Sequence, residues 1–101
     1  MTAIMANIVY NSKTKTMTLK IYQLPHGHEN LFMPYSDGKV DVDQYNLVYT
    51  GETETTNLED IYYRFQFKVD GFKGHSLSIS DIVEIGGVKH YVDTIGYVRL
   101  T

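Results

Sequence analysis

Two short apolar runs face each other across Gly86 and Gly87: Ile82-Val83-Glu84-Ile85 before the pair and Val88-Lys89-His90-Tyr91-Val92 after it. Two-residue turns between antiparallel strands need positive φ, which glycine adopts without steric cost. The segment is therefore expected to be a tight β-hairpin. It sits inside the C-terminal third, from Phe72 to Leu100, which continues through a bend or bulge at Gly96 into a last strand, Tyr97 to Leu100. A lone hairpin is at best marginally stable in water. The rest of the chain is expected to pack onto this one.

Upstream, Thr16 to Tyr22 alternates: Met17, Leu19 and Ile21 on one face, Thr16, Thr18, Lys20 and Tyr22 on the other. This is the pattern of a half-buried strand. Ile4, Ala6, Ile8 and Tyr10 share a parity, and the polar run 11–15 separates them from Thr16. These two stretches are expected to form a second antiparallel hairpin. Pro25 cannot donate to a ladder and ends the strand. Leu31 to Tyr35 is apolar but interrupted by Pro34, and is expected to plug an edge of the core. Ser36-Asp37-Gly38 signals a turn. Tyr45 to Tyr49 reads as a strand, with Thr50-Gly51 ending it and Gly51 to Thr56 as a connector.

Leu58, Ile61, Tyr62 and Phe65 recur at i, i+3, i+4 and i+7, one stripe of a helix. Thr56 followed three residues later by Glu59 matches a capping box. A helix is expected from Leu58 to Phe65, with Ile61 and Phe65 facing a sheet that presents Leu19, Ile21 and Val83 or Ile85. His75 to Asp81 is expected to be an ordered connector or short strand. The fold class is α+β: a small, mostly antiparallel twisted sheet with one short helix packed on it, either open or curled into a partial barrel. At 101 residues it is one domain.

Composition narrows the chemistry. There is no cysteine, so disulfides, thiolate zinc and a cysteine nucleophile are excluded. This fits a reducing compartment. No apolar run approaches the roughly 18 residues that cross a bilayer, and the N-terminal residues lack the pattern of a secretory signal. The formal net charge of −3 argues against direct nucleic-acid binding, which calls for a basic face.

Several separated blocks occur together in order: Ile21 to Leu24, Tyr45 to Tyr49, Leu58 to Tyr62, Gly74 to Val83, and His90 to Tyr97. In this the chain resembles the YodL-like family over roughly Met17 to Leu100, a family of bacterial mobile elements, plasmids and phages. The resemblance implies a protein of the bacterial host cytoplasm and carries no catalytic motif. It implies a helix between Pro34 and Tyr45, where this chain is shorter.

Three constellations carry candidate chemistry. His26 and His28 flank Gly27 and precede Glu29, so they can offer imidazoles to zinc if further ligands come from elsewhere. The alternative is an exposed polar loop. His75, Ser76, Ser78, Ser80 and Asp81 contain the residue types of a catalytic triad, but in no triad order and with no nucleophile elbow. The expected role of Asp81 is to satisfy backbone N–H groups where the strand begins. Third, six carboxylates, Asp41, Asp43, Glu52, Glu54, Glu59 and Asp60, lie between Val40 and Tyr63 with no lysine or arginine among them. Tyr45, Tyr49, Tyr62 and Tyr63 share the window. A solvated face would explain the charges, and Glu59 and Asp60 also suit the positive end of a helix dipole.

The functional reading of this window is a contact surface for a basic protein partner. With the resemblance and the lack of a catalytic set, the expectation is a non-enzymatic inhibitor of a host defence nuclease, anti-CRISPR-like, acting on a Cas9-type CRISPR effector nuclease without touching nucleic acid or membrane and without a cofactor. The alternative is a zinc-binding module or metal-dependent enzyme built on the histidines.

Overall fold

The computed structural model of the chain describes residues 16–36 and 39–100. In chain order these form β1 (Met17–Gln23), a single 3-10 turn (Val42–Gln44), β2 (Asn46–Thr53), α1 (Leu58–Arg64), β3 (Ile82–Ile85), β4 (Val88–Val92) and β5 (Tyr97–Arg99). The strands make one sheet in the order β2-β1-β3-β4-β5, every neighbouring pair antiparallel. The outer strands β2 and β5 are not paired with each other. The sheet is open, and the partial barrel expected as an alternative is not closed.

The β3–β4 hairpin has the bounds its sequence implies. Gly86 and Gly87 supply φ of +57° and +87° at the turn. Pairing then fixes which residues share a face. Leu19 lies opposite Ile85 and Ile21 opposite Val83. Those four, with Tyr49 and Val92, point to the side that α1 covers. From α1 come Ile61 and Phe65, and from the connector after it comes Leu77, all fully buried. The helix begins over β5, where Tyr97 Oη lies 3.4 Å from the Leu58 carbonyl, and ends over β2, where Arg64 Nη2 lies 3.4 Å from Tyr49 Oη.

Several local expectations are corrected. The N-cap of α1 is Asn57, not Thr56: Asn57 Oδ1 accepts from the N–H groups of Glu59 at 2.9 Å and Asp60 at 3.4 Å. The helix starts at Leu58, so the capping oxygen must come from the residue just before it. β2 does not end at Thr50-Gly51 but runs on to Thr53, which makes Glu52 a strand residue. Gly51 sits across from Leu19 and under the ring of Tyr49. A Cβ there would collide with the tyrosine hydroxyl, so this glycine marks a close approach rather than a stop. Between Pro34 and Tyr45 the helix implied by the resemblance is reduced to the 3-10 turn.

β1 is an interior strand. β2 runs along one edge, and β3 takes the other from Leu19 to Tyr22. An additional hairpin partner therefore has no free edge of β1 along that stretch. The run Ile4 to Tyr10, expected as that partner, lies outside the described residues.

The second face of the sheet is covered in two ways. At one end a strap that includes residues 31–35 lies over Tyr91. Tyr91 Oη donates to the Met33 carbonyl at 2.7 Å, and Tyr35 stacks edge-on against Tyr91 at 5.4 Å. The strap is not the simple core plug that was expected, because Phe32 and Met33 stay about half exposed. At the other end Glu84 is shielded by polar neighbours. Tyr22 Oη donates to it at 2.8 Å and Lys89 Nζ lies 3.2 Å away. Burial raises the Glu84 carboxyl, but the bonds from Tyr22 and Lys89 outweigh it and hold it below its usual range.

Candidate functional site

The acidic window is continuous in sequence and divided in space. Asp41 caps the 3-10 turn, accepting from the Asp43 N–H at 3.1 Å, and both acids precede β2. Glu52 and Glu54 lie at the far end of that strand. Seven residue steps separate the ends of β2, about 23 Å at the usual strand rise, more than twice the distance over which salt screens exposed charges. Glu52 also points away from α1, since it pairs with Thr18 on the opposite face, and its Oε1 accepts from Thr16 Oγ1 at 2.9 Å. Glu59 and Asp60 lie in the first turn of α1, on the covered side of the sheet. The six acids therefore make three separate sites.

The tyrosines divide as well. Tyr49 is a core residue, edge-on to Phe65 at 4.9 Å and to Phe72 at 6.4 Å, and is not available to a partner. Tyr45 is half-buried and its hydroxyl donates to the Ser80 carbonyl at 2.7 Å. Tyr62 is half-buried against the core. Tyr63 alone of these is strongly exposed, at 69%, and its ring meets that of Phe67, 60% exposed, at 5.3 Å. Phe67 escaped the sequence reading because it lies beyond the helix stripe. The signal that marks it is the i, i+4 spacing from Tyr63.

The outer side of α1 thus presents Glu59 and Asp60 in its first turn and the Tyr63–Phe67 pair at its end. Arg64 is drawn out of this patch: its guanidinium lies 5.1 Å from the Phe65 ring centroid and bonds Tyr49 Oη. Glu59 makes itself felt on the sheet below. Burial first, then the Glu59 carboxylate, push the Tyr97 hydroxyl up to about 12.

The histidine loop is arranged differently from the metal reading. His26 is exposed in the turn after Pro25. Both nitrogens of His28 are engaged: Nε2 lies 2.6 Å from Gln44 Oε1 and Nδ1 accepts the Asn30 N–H at 3.0 Å. Among the described residues no group of three or more His, Asp or Glu side chains is placed to hold a metal ion.

A compact polar cluster lies where β1, β3 and the connector meet. Asp81 is fully buried just ahead of β3, and its Oδ2 accepts from the Ser78 N–H at 2.8 Å and from Gln23 Nε2 at 3.0 Å. It satisfies the backbone as its position before a strand implied. Gln23 also donates to the His75 carbonyl at 2.8 Å and accepts the His75 N–H at 3.1 Å. The serines serve the backbone too: Ser78 Oγ donates to the Ser76 carbonyl at 2.8 Å, and Ser80 Oγ accepts the Phe32 N–H at 2.9 Å. Among the described residues no serine hydroxyl is paired with the His75 ring, the contact that would activate a nucleophile.

The model of the YodL-like domain matches residues 18–101, from the second residue of β1 through every later element described above. No curated protein matches the chain, and neither does any solved structure. With more than four-fifths of its length covered by that match, the chain belongs to the YodL-like domain family.

Proposed function

We propose that this domain works by protein–protein contact, docking a basic partner against the outer side of α1. Tyr63 and Phe67 are the anchors, and Glu59 and Asp60 steer the approach. One observation carries the reading: two large exposed aromatic rings meet edge-on at the end of a helix whose first turn carries two carboxylates, while the Arg64 guanidinium is engaged by Phe65 and Tyr49. Aromatic side chains offer rigid apolar area at interfaces, and exposed charge of one sign accelerates encounter with the opposite sign. The partner class is a nuclease with a cationic nucleic-acid groove, and the family resemblance directs the choice to a CRISPR effector nuclease. An acidic domain seated in such a groove inhibits by occupying the place of nucleic acid.

The test is association kinetics with such a nuclease at two salt concentrations. Reversing Glu59 and Asp60 to lysine is expected to slow association by about tenfold or more at low salt. Tyr63→Ala is expected to act on dissociation, with a loss on the order of 2 kcal/mol, roughly thirtyfold in affinity. Rates that ignore salt, the charge reversal and Tyr63→Ala alike would refute the reading.

A further inference from the structure

We propose that His75 and Asp81 hold one proton between them and that this proton latches the strap bearing Phe32 onto the end of the sheet. The argument begins with the ring. His75 Nδ1 lies 2.8 Å from the Ser76 carbonyl oxygen, so Nδ1 carries a hydrogen. Nε2 of the neutral ring is then an acceptor. It faces Asp81 Oδ1 at 4.0 Å, and Oδ1 is buried with no hydrogen-bond partner. An acceptor facing a buried, unpartnered carboxylate oxygen is unfavourable without a proton, and a small rotation of the part-exposed His75 ring closes the gap.

Other groups facing Asp81 supply no cation. Gln23 from β1 and Ser78 from the connector are neutral donors, and the hydroxyls of Tyr45 and Tyr91 feel its charge. His75 is the ion-pair partner found within 4.0 Å among the described residues. Burial foremost pushes the Asp81 carboxyl up to about 7, which bonds from Ser78 and Gln23 only partly oppose.

The cluster also holds strained backbone. Ser80 has φ of +85° and Phe32 has φ of +66°, in the left-handed region that side chains avoid unless neighbours impose it. The two are bonded to each other through the Phe32 N–H and Ser80 Oγ, and the Phe32 ring meets the His75 ring edge-on at 5.3 Å. His75 therefore touches both the proton site and the strap. Loss of the proton sets the Asp81 carboxylate against the bare Nε2, pushes the ring away and releases Phe32.

The sign follows from linkage. An acid whose folded pKa is raised favours the folded state below its unfolded pKa, and that advantage is lost as pH climbs to the folded value. The window here runs from about 4 to about 7. Asp81→Asn is the natural probe, because its amide N–H₂ donates permanently toward Nε2 while its oxygen keeps the bonds from Ser78 and Gln23. The melting temperature of Asp81→Asn minus that of the wild type is expected to rise by at least about 4 °C between pH 4.5 and pH 7.5. In the wild type, the ¹³C shift of the Asp81 carboxyl should titrate near neutrality, and the Phe32 amide signal should move with the same midpoint. A difference in melting temperature flat across this range would overturn the proposal. If the variant does not fold, the wild-type titration decides alone: an Asp81 midpoint in the ordinary carboxylate range, or a Phe32 amide indifferent to it, overturns it equally.

Discussion

Truncating Phe65 to alanine should be the most damaging single change on α1. The residue is 0% exposed and is the largest of the fully buried side chains. Its ring meets Tyr49 at 4.9 Å and Phe72 at 5.0 Å, both edge-on, and the Arg64 guanidinium lies 5.1 Å from its centroid. Alanine deletes the ring and leaves a cavity that cannot collapse, because strand residues form one wall. Such truncations cost about 3–5 kcal/mol. A domain of this length has a total stability of roughly 5–15 kcal/mol, so the loss takes about a fifth of it or more. In urea, where m is about 1–3 kcal/mol per molar, the midpoint should fall by at least about 1 M at unchanged m. Phe67→Ala is the control two residues on. That ring is mostly in solvent and, among the described residues, its aromatic contact is Tyr63, so its removal should cost less than about 1 kcal/mol. Equal midpoints for Phe65→Ala and wild type would show that the ring does not fill the space between α1 and the sheet.

Two further outcomes are expected. Asn57→Ala removes the oxygen that receives the Glu59 and Asp60 N–H groups and should cost about 1 kcal/mol in thermal or urea unfolding. Thr56→Ala should be close to neutral, and a larger loss at Thr56 than at Asn57 would return the cap to the capping-box register. Equimolar zinc added to metal-free protein should leave the melting temperature unchanged, since both His28 nitrogens are already engaged. A rise that His26→Ala and His28→Ala together abolish would show a metal site.

The sequence was most readable where a local rule decides the outcome. The hairpin across Gly86-Gly87 and the stripe Leu58, Ile61, Tyr62, Phe65 need only neighbours within a few residues, and both formed as read. Sheet order was not readable, because β1 pairs with strands more than twenty residues away on either side and sequence adjacency favours a hairpin instead. Gly51 misled for a related reason: as a local signal it stops a strand, and only the Tyr49 ring above it explains why it continues one. The acidic window shows the same limit at the level of function. Six acids close in sequence look like one surface, yet β2 carries Glu52 and Glu54 away from Asp41 and Asp43. Strand parity turns Glu52 to the face opposite α1. Asp81 was readable as a backbone partner, whereas its neighbour Gln23 was not, since nothing in an alternating strand marks its last inward residue as polar by design.

Among the described residues, Phe32 and the Tyr63–Phe67 pair are exposed aromatic patches, and their surroundings differ. Phe32 and Met33 project from the strap, with the His75 ring edge-on to Phe32. Tyr63 lies on α1 with Glu59 and Asp60, and Phe67 meets its ring from just beyond the end of the helix. A basic partner bound at α1 gains from both carboxylates, and that gain shrinks as salt shortens the reach of exposed charges to about 8 Å at physiological strength. A partner bound at Phe32 depends on the latch, and its binding would follow the Asp81 proton instead. Salt and pH are therefore orthogonal probes. Association that slows with salt but holds steady from pH 6 to pH 8 places the partner on α1. Association that ignores salt and weakens as the latch proton is lost places it on Phe32, and the anchor role proposed for Tyr63 then falls.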